Sequence, residues 1–255
     1  MQNKIKKVIL LIVAAAIGLM SIRLLFTVTP QREAKIDTAQ GVSYIAEQEK
    51  ISVTQLHTTT EKSNPKKKHK RLKIKNNNYK AAFKDILIAG DSLVEAIYEY
   101  KILNRSQVFG MIGGTTIYLS ENIDKIVKQK PKYIVLHYGE NELGKKKYAD
   151  IFIPRYTKCI KKLQKKLPDT EIYVDSIFPV QKKAHKKEPY TKNIPYYNQR
   201  LEKMADELGV HYIDFTPEFK QYKKNYYDAD GIHPLKKFYT EEYLPLVYTE
   251  VMSKN

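Results

Sequence analysis

At 255 residues, 42% of them hydrophobic, the chain is long enough for one sizeable domain with appendages and apolar enough to bury a core. Its formal charge of +17 comes with a single cysteine, Cys159, which excludes an intrachain disulfide and a Cys-rich metal site. Much of that charge is local: residues 61–80 hold nine Lys/Arg against one Glu, with Tyr79 the one Phe, Tyr or Trp among them, and this argues against a nucleic-acid-binding function.

In chain order, Lys4, Lys6 and Lys7 precede an apolar segment from Val8 to about Val28, broken by Arg23 near its far end. At about 1.5 Å per residue this just spans a hydrocarbon core of about 30 Å. Residues 1–29 are therefore expected to form a basic flank and a transmembrane anchor, with the N-terminus in the cytoplasm and everything after Pro30 outside it. Secretion after cleavage of a signal peptide is the alternative, although no small-x-small site follows the apolar run. Residues 30–80 are rich in Thr, Gln, Asn and Lys without sustained periodicity, and are expected to be a disordered tether with a reach of about 40 Å. Its lysines would meet anionic polymers or lipid headgroups.

From residue 81 to 255 strand and helix patterns alternate. Strands are expected at Ile86 to Ala89, Gln107 to Met111, Tyr133 to His137, Glu171 to Ile177 and Val210 to Ile213. Helices are expected near 93–103, 119–129, 154–167, 196–208 and 237–252. The pattern predicts an α/β domain, a mostly parallel sheet of about five strands with helices on both faces, whose ligands gather at the carboxyl ends of the strands.

Four short motifs fall near those ends. "GDSL" at 90–93 follows the first strand and places Ser92 at a helix N-terminus, where a serine can serve as a cap or as a nucleophile. "GMIGGTT" follows the second strand, "HYGENEL" the third, and "DADGIHP" precedes the last helix. Asp230 and His233, three apart in a turn, allow the carboxylate to hold one imidazole nitrogen while the other faces Ser92. Gly114 offers an unobstructed backbone N–H and Asn141 a side-chain amide for a developing oxyanion.

The order and spacing of these blocks resemble the SGNH/GDSL hydrolases over roughly residues 84–252. The resemblance implies a three-layer α/β/α, flavodoxin-like fold and a serine esterase in which Ser92 attacks, His233 is the base and Asp230 orients it. It also implies an oxyanion hole formed by the Ser92 N–H, Gly114 and Asn141, supported by Asp91, Gly113 and Gly139. One departure is visible: Asn141 is followed by Glu142, where the family pattern has Asp. The lipase-type G-x-S-x-G elbow is absent.

Other candidates carry less. His137 ends a strand and is expected to line the site or pack within it, while His185 and His211 have no partner legible in the sequence. Cys159 falls on the buried face of its helix. No HExxH or similar spacing is present, so neither metal nor cofactor is expected. The expected activity is hydrolysis of small acyl esters, O-acetyl above all, on an extracellular carbohydrate or cell-envelope polymer. Lipid, lysophospholipid or thioester hydrolysis and a non-catalytic envelope-binding role are the alternatives.

Overall fold

The computed structural model describes residues 71–221 and 226–253, all within one compact unit, Lys68–Asn255. The expected membrane span, and the tether as far as residue 70, lie outside these residues. Among the described residues no helix is long and apolar enough to cross a membrane.

Five strands, β1 Ile86–Gly90, β2 Val108–Gly110, β3 Tyr133–His137, β4 Glu171–Asp175 and β5 His211–Ile213, form one parallel sheet in the order β2-β1-β3-β4-β5. Every residue of β1 and β3 is buried, as their near-continuous apolar sequence requires of strands covered on both faces. Side chains alternate between two cores. Ile86 and Ile88 pack with Leu93 and Ile97 of α1 (Ser92–Glu99) and Val247 of α5 (Leu244–Met252). Leu87 and Ala89 pack on the other face with Leu119 of α2 (Thr116–Gln129), Ile160 of α3 (Ala149–Lys166) and Leu201 of α4 (Ile194–Glu207). The result is helix, sheet and helix in three layers.

The chain leaves β1 for β2 on one side and then returns past β1 to β3 on the other. That reversal opens a crevice at the carboxyl ends of β1 and β3, where open parallel sheets bind their ligands.

Several boundaries differ from expectation. β2 and β4 are shorter than their apolar runs, because the chain turns off the sheet at Met111 and Ser176. Residues 71–80, expected as the end of the tether, are instead held against the domain. Arg71 pairs with Glu218 and with Glu242, the Leu72 N–H donates to Thr249 Oγ1 at 2.9 Å, and the Tyr79 hydroxyl donates to the Thr240 carbonyl at 2.5 Å. These partners lie more than 140 residues away, beyond the reach of local periodicity.

Candidate active site

Asp91, the residue after β1, caps α1: its Oδ1 accepts the Leu93 N–H at 2.9 Å. Capping therefore falls to Asp91 and not to Ser92. Ser92 is the first residue of the helix, so its N–H is among the donors that a helix leaves without an internal acceptor. The Ser92 side chain is left to face the crevice.

His233 arrives from the turn before the C-terminal helical segments. Its Nε2 lies 3.4 Å from Ser92 Oγ, and its Nδ1 lies 2.6 Å from Asp230 Oδ2. The other oxygen of Asp230 accepts the N–H groups of Ile232 at 2.8 Å and His233 at 3.0 Å, which fixes the carboxylate before it holds the ring. Burial pulls the Asp230 pKa up, but those two amides and the imidazole outweigh it and hold the group below the usual carboxylate range. Asp230 therefore favours the Nδ1–H tautomer of His233, leaving Nε2 free to take a proton from Ser92.

Ser92, His233, Asn141 and Glu140 line one pocket of about 350 Å³, with Leu143 and Tyr190 on its walls. Asn141 sits in the short 3-10 turn Glu140–Glu142 after β3 and donates its Nδ2 to the Gly114 carbonyl at 3.0 Å. Gly114 does not offer the open N–H read from the sequence. Its amide donates to the Met111 carbonyl at 2.8 Å and closes a tight turn in which Gly113 takes φ +71°. Gly139 adopts φ +135°, and a Cβ there would lie 2.6 Å from Ile177 Cδ1, so this position admits only glycine.

Glu142, the departure from the family pattern, is a clamp. One carboxylate oxygen accepts the Thr116 N–H at 2.8 Å; the other accepts the Thr116 hydroxyl at 2.7 Å and Arg155 Nη1 at 3.1 Å. A single side chain thus ties the loop bearing Asn141 to the first turn of α2 and to α3.

Beneath Ser92 lies a cluster of ionisable groups that sequence reading did not assemble. His137 is buried 4.3 Å, centroid to centroid, from the Phe178 ring, with Nδ1 3.6 Å from Asp175 Oδ2. Asp175 Oδ2 also accepts the Tyr243 hydroxyl at 2.7 Å. Burial raises the Asp175 and Asp91 carboxyls. Burial lowers His137, yet the carboxylates of Asp175, Asp91 and Glu140 outweigh it and hold the imidazole above its ordinary value. Glu140 has one oxygen shut away from solvent and is pushed up to about 8, by burial first and then by the charge of Asp91. The signal in the sequence was a charged residue at the end of each apolar run, Asp91, His137 and Asp175, which only the parallel register brings together.

The Lys-rich segment 179–195 borders the site. The Tyr227 hydroxyl donates to the Pro179 carbonyl, and the Gln181 N–H donates to the Gly231 carbonyl at 2.9 Å, beside Asp230. His185 and His211, which had no legible partner, do have one: His185 Nδ1 lies 2.7 Å from Thr191 Oγ1, and His211 Nε2 lies 3.5 Å from Glu171 Oε2. Cys159 is buried, its Sγ 3.6 Å from the Thr116 carbonyl.

A family model described as GDSL-like lipase/acylhydrolase matches residues 89–240, a span that contains Ser92, Asn141, Asp230 and His233. No curated protein matches the chain. An acetyl xylan esterase is similar in structure with a TM-score of 0.52 at 17% identity, over 66% of this chain and 99% of that one. A GDSL-like lipase from Bacteroides thetaiotaomicron is similar with a TM-score of 0.52 at 13% identity, over 70% and 99%. A lipase/acylhydrolase from Enterococcus faecalis is similar with a TM-score of 0.52 at 16% identity, over 66% and 95%. At these identities the likeness is one of fold.

Proposed function

The chain belongs to the GDSL-like lipase/acylhydrolase family, serine hydrolases acting on esters, and from that premise we propose that Ser92, His233 and Asp230 are its catalytic triad. The observation that carries this is the continuous contact Ser92 Oγ to His233 Nε2 to Asp230 at 3.4 and 2.6 Å. Ser92 Oγ attacks the ester carbonyl as His233 Nε2 takes its proton, and Asp230 stabilises the imidazolium. The oxyanion is met by the Ser92 N–H and Asn141 Nδ2, while Gly114 contributes by accepting from Asn141 and so aiming it. His233 then returns the proton to the leaving alkoxide, and water, activated by the same ring, releases the acyl group.

The substrate we propose is a small acyl ester, O-acetyl above all, on an extracellular carbohydrate polymer. Its support is the modest pocket at Ser92, the exposed lysines Lys182, Lys183, Lys186 and Lys187 beside it, and the acetyl xylan esterase among the similar structures. Anchoring by residues 1–29, with the domain outside the cytoplasm, belongs to the same proposal and places the enzyme at the cell envelope. A second reading, lipid ester hydrolysis, is favoured by Met111 and Ile112, 42% and 77% exposed on the turn that Gly114 closes. Release of acetate from acetylated cell-wall glycan, measured against release of fatty acid from lysophospholipid, decides between them. A marked preference for long acyl chains contradicts the carbohydrate reading.

A further inference from the structure

A second cavity, of about 580 Å³, lies at the carboxyl ends of β4 and β5, and this volume is in the range of small-molecule sites. It is separated from the catalytic pocket by the 3-10 helix Pro189–Asn193, whose Thr191 lines both spaces. Tyr190 belongs to the catalytic side of this partition and Lys192 to the other.

The lining combines apolar wall with paired polar groups. Val180, Ile194 and Pro195 supply the wall, and Tyr212 adds an aromatic ring. Asp214 uses Oδ1 to accept the Thr216 N–H at 2.9 Å, which leaves its second oxygen as an acceptor. The Thr191 hydroxyl donates to the Glu188 carbonyl at 2.5 Å, so its contact with His185 is a bond donated by the ring's Nδ1–H. Gln199 contributes an amide that both donates and accepts. Two carboxylates, Glu202 and Asp214, against one lysine, Lys192, disfavour an anion here, in contrast to the basic segment outside. Donors and acceptors interleaved with apolar wall suit a molecule carrying many hydroxyls on a hydrocarbon ring.

We propose that this cavity is a second sugar subsite, holding a neutral, hydroxyl-rich unit of the polymer whose ester lies at Ser92. It rests on the carbohydrate reading above and assigns the binding of the chain beyond the scissile ester to residues that make no contact with the triad. Binding at this site aligns the ester without adding to the chemical step, so it is felt by an oligosaccharide and not by a small aryl ester.

The test uses the full-length chain and equilibrium binding of xylotetraose, cellotetraose and chitotetraose, followed calorimetrically with Ser92→Ala protein. At least one of them is expected to bind saturably, and Gln199→Trp and Lys192→Trp, which fill the cavity from two exposed positions, are each expected to weaken it at least about tenfold. In the Ser92 background the same two variants should lower kcat/KM on the acetylated oligosaccharide while p-nitrophenyl acetate hydrolysis, which also reports a correct fold, stays unchanged. Absence of saturable binding up to about 10 mM, or an affinity in both filled variants unchanged from that of the unfilled protein, overturns the subsite. Failure of the esterase reading shows separately, as p-nitrophenyl acetate hydrolysis that survives Ser92→Ala.

Discussion

Glu142 holds Thr116 at both its amide and its hydroxyl, 2.8 and 2.7 Å away, across 26 residues of sequence. In the proposed site this bond also bears on function, because the residue before Glu142 is Asn141. Removing the carboxylate in Glu142→Ala leaves the Thr116 amide and Arg155 without their acceptor, a loss of about 1–3 kcal/mol. Urea denaturation should show that loss. Hydrolysis of p-nitrophenyl acetate should fall roughly tenfold in kcat with KM little changed, since the loosened Asn141 matters most when the oxyanion forms. A variant with normal kcat would show that the clamp is irrelevant to the site.

Asp230→Asn tests the orientation of the base. The substituted amide oxygen can still accept the Ile232 and His233 N–H groups, so the turn is expected to survive. What changes is the partner of His233 Nδ1, where an amide can present N–H₂ and reverse the tautomer. The expected loss in kcat is on the order of a thousandfold or more, with an unchanged thermal midpoint. A loss below about tenfold would assign the triad's third role elsewhere.

Stability should depend on pH through the buried cluster, and the sign follows from the shifts. Glu140 stands at about 8 in the fold against an ordinary 4.5, so its contribution is complete below about pH 4.5 and is lost as pH rises through about 8. Asp91 and Asp175, raised by burial, and His137, raised by its carboxylate neighbours, act in the same direction. The denaturation midpoint should therefore be lower at pH 9 than at pH 6. Glu140→Gln should narrow that difference by at most about 3 kcal/mol of unfolding free energy, because only the interval from pH 6 to about 8 falls within the window. An identical pH slope in Glu140→Gln would remove Glu140 from the cluster.

How much of this was legible in the sequence varied with the range of the interaction. β3 is found where its apolar run lies, Tyr133 to His137, because a strand covered on both faces writes itself as consecutive buried residues. Helix starts were less legible. α2 begins at Thr116 rather than near 119 because its first turn is fixed by Glu142, from a distant loop, and not by its own periodicity. α3 begins at Ala149, ahead of Pro154, before its apolar face becomes regular. The four motifs were legible as local turns, although the bonding of Gly114 within its turn was not, whereas Glu140, Asp175 and Tyr243 meet only through sheet register and the docking of the C-terminal segment. The ordered start of the domain was hidden for the same reason: Arg71 reads as one more charge in a basic tract until Glu218 and Glu242 are placed beside it.

The most direct measurement is covalent labelling of the full-length protein by a fluorophosphonate probe, with the modified residue identified by mass spectrometry and p-nitrophenyl acetate hydrolysis followed in parallel. The Ser92–His233–Asp230 contact predicts a single adduct on Ser92, abolished in Ser92→Ala together with at least about a hundredfold of the esterase rate. An unlabelled Ser92 in folded protein, or a Ser92→Ala variant with undiminished hydrolysis, would contradict it.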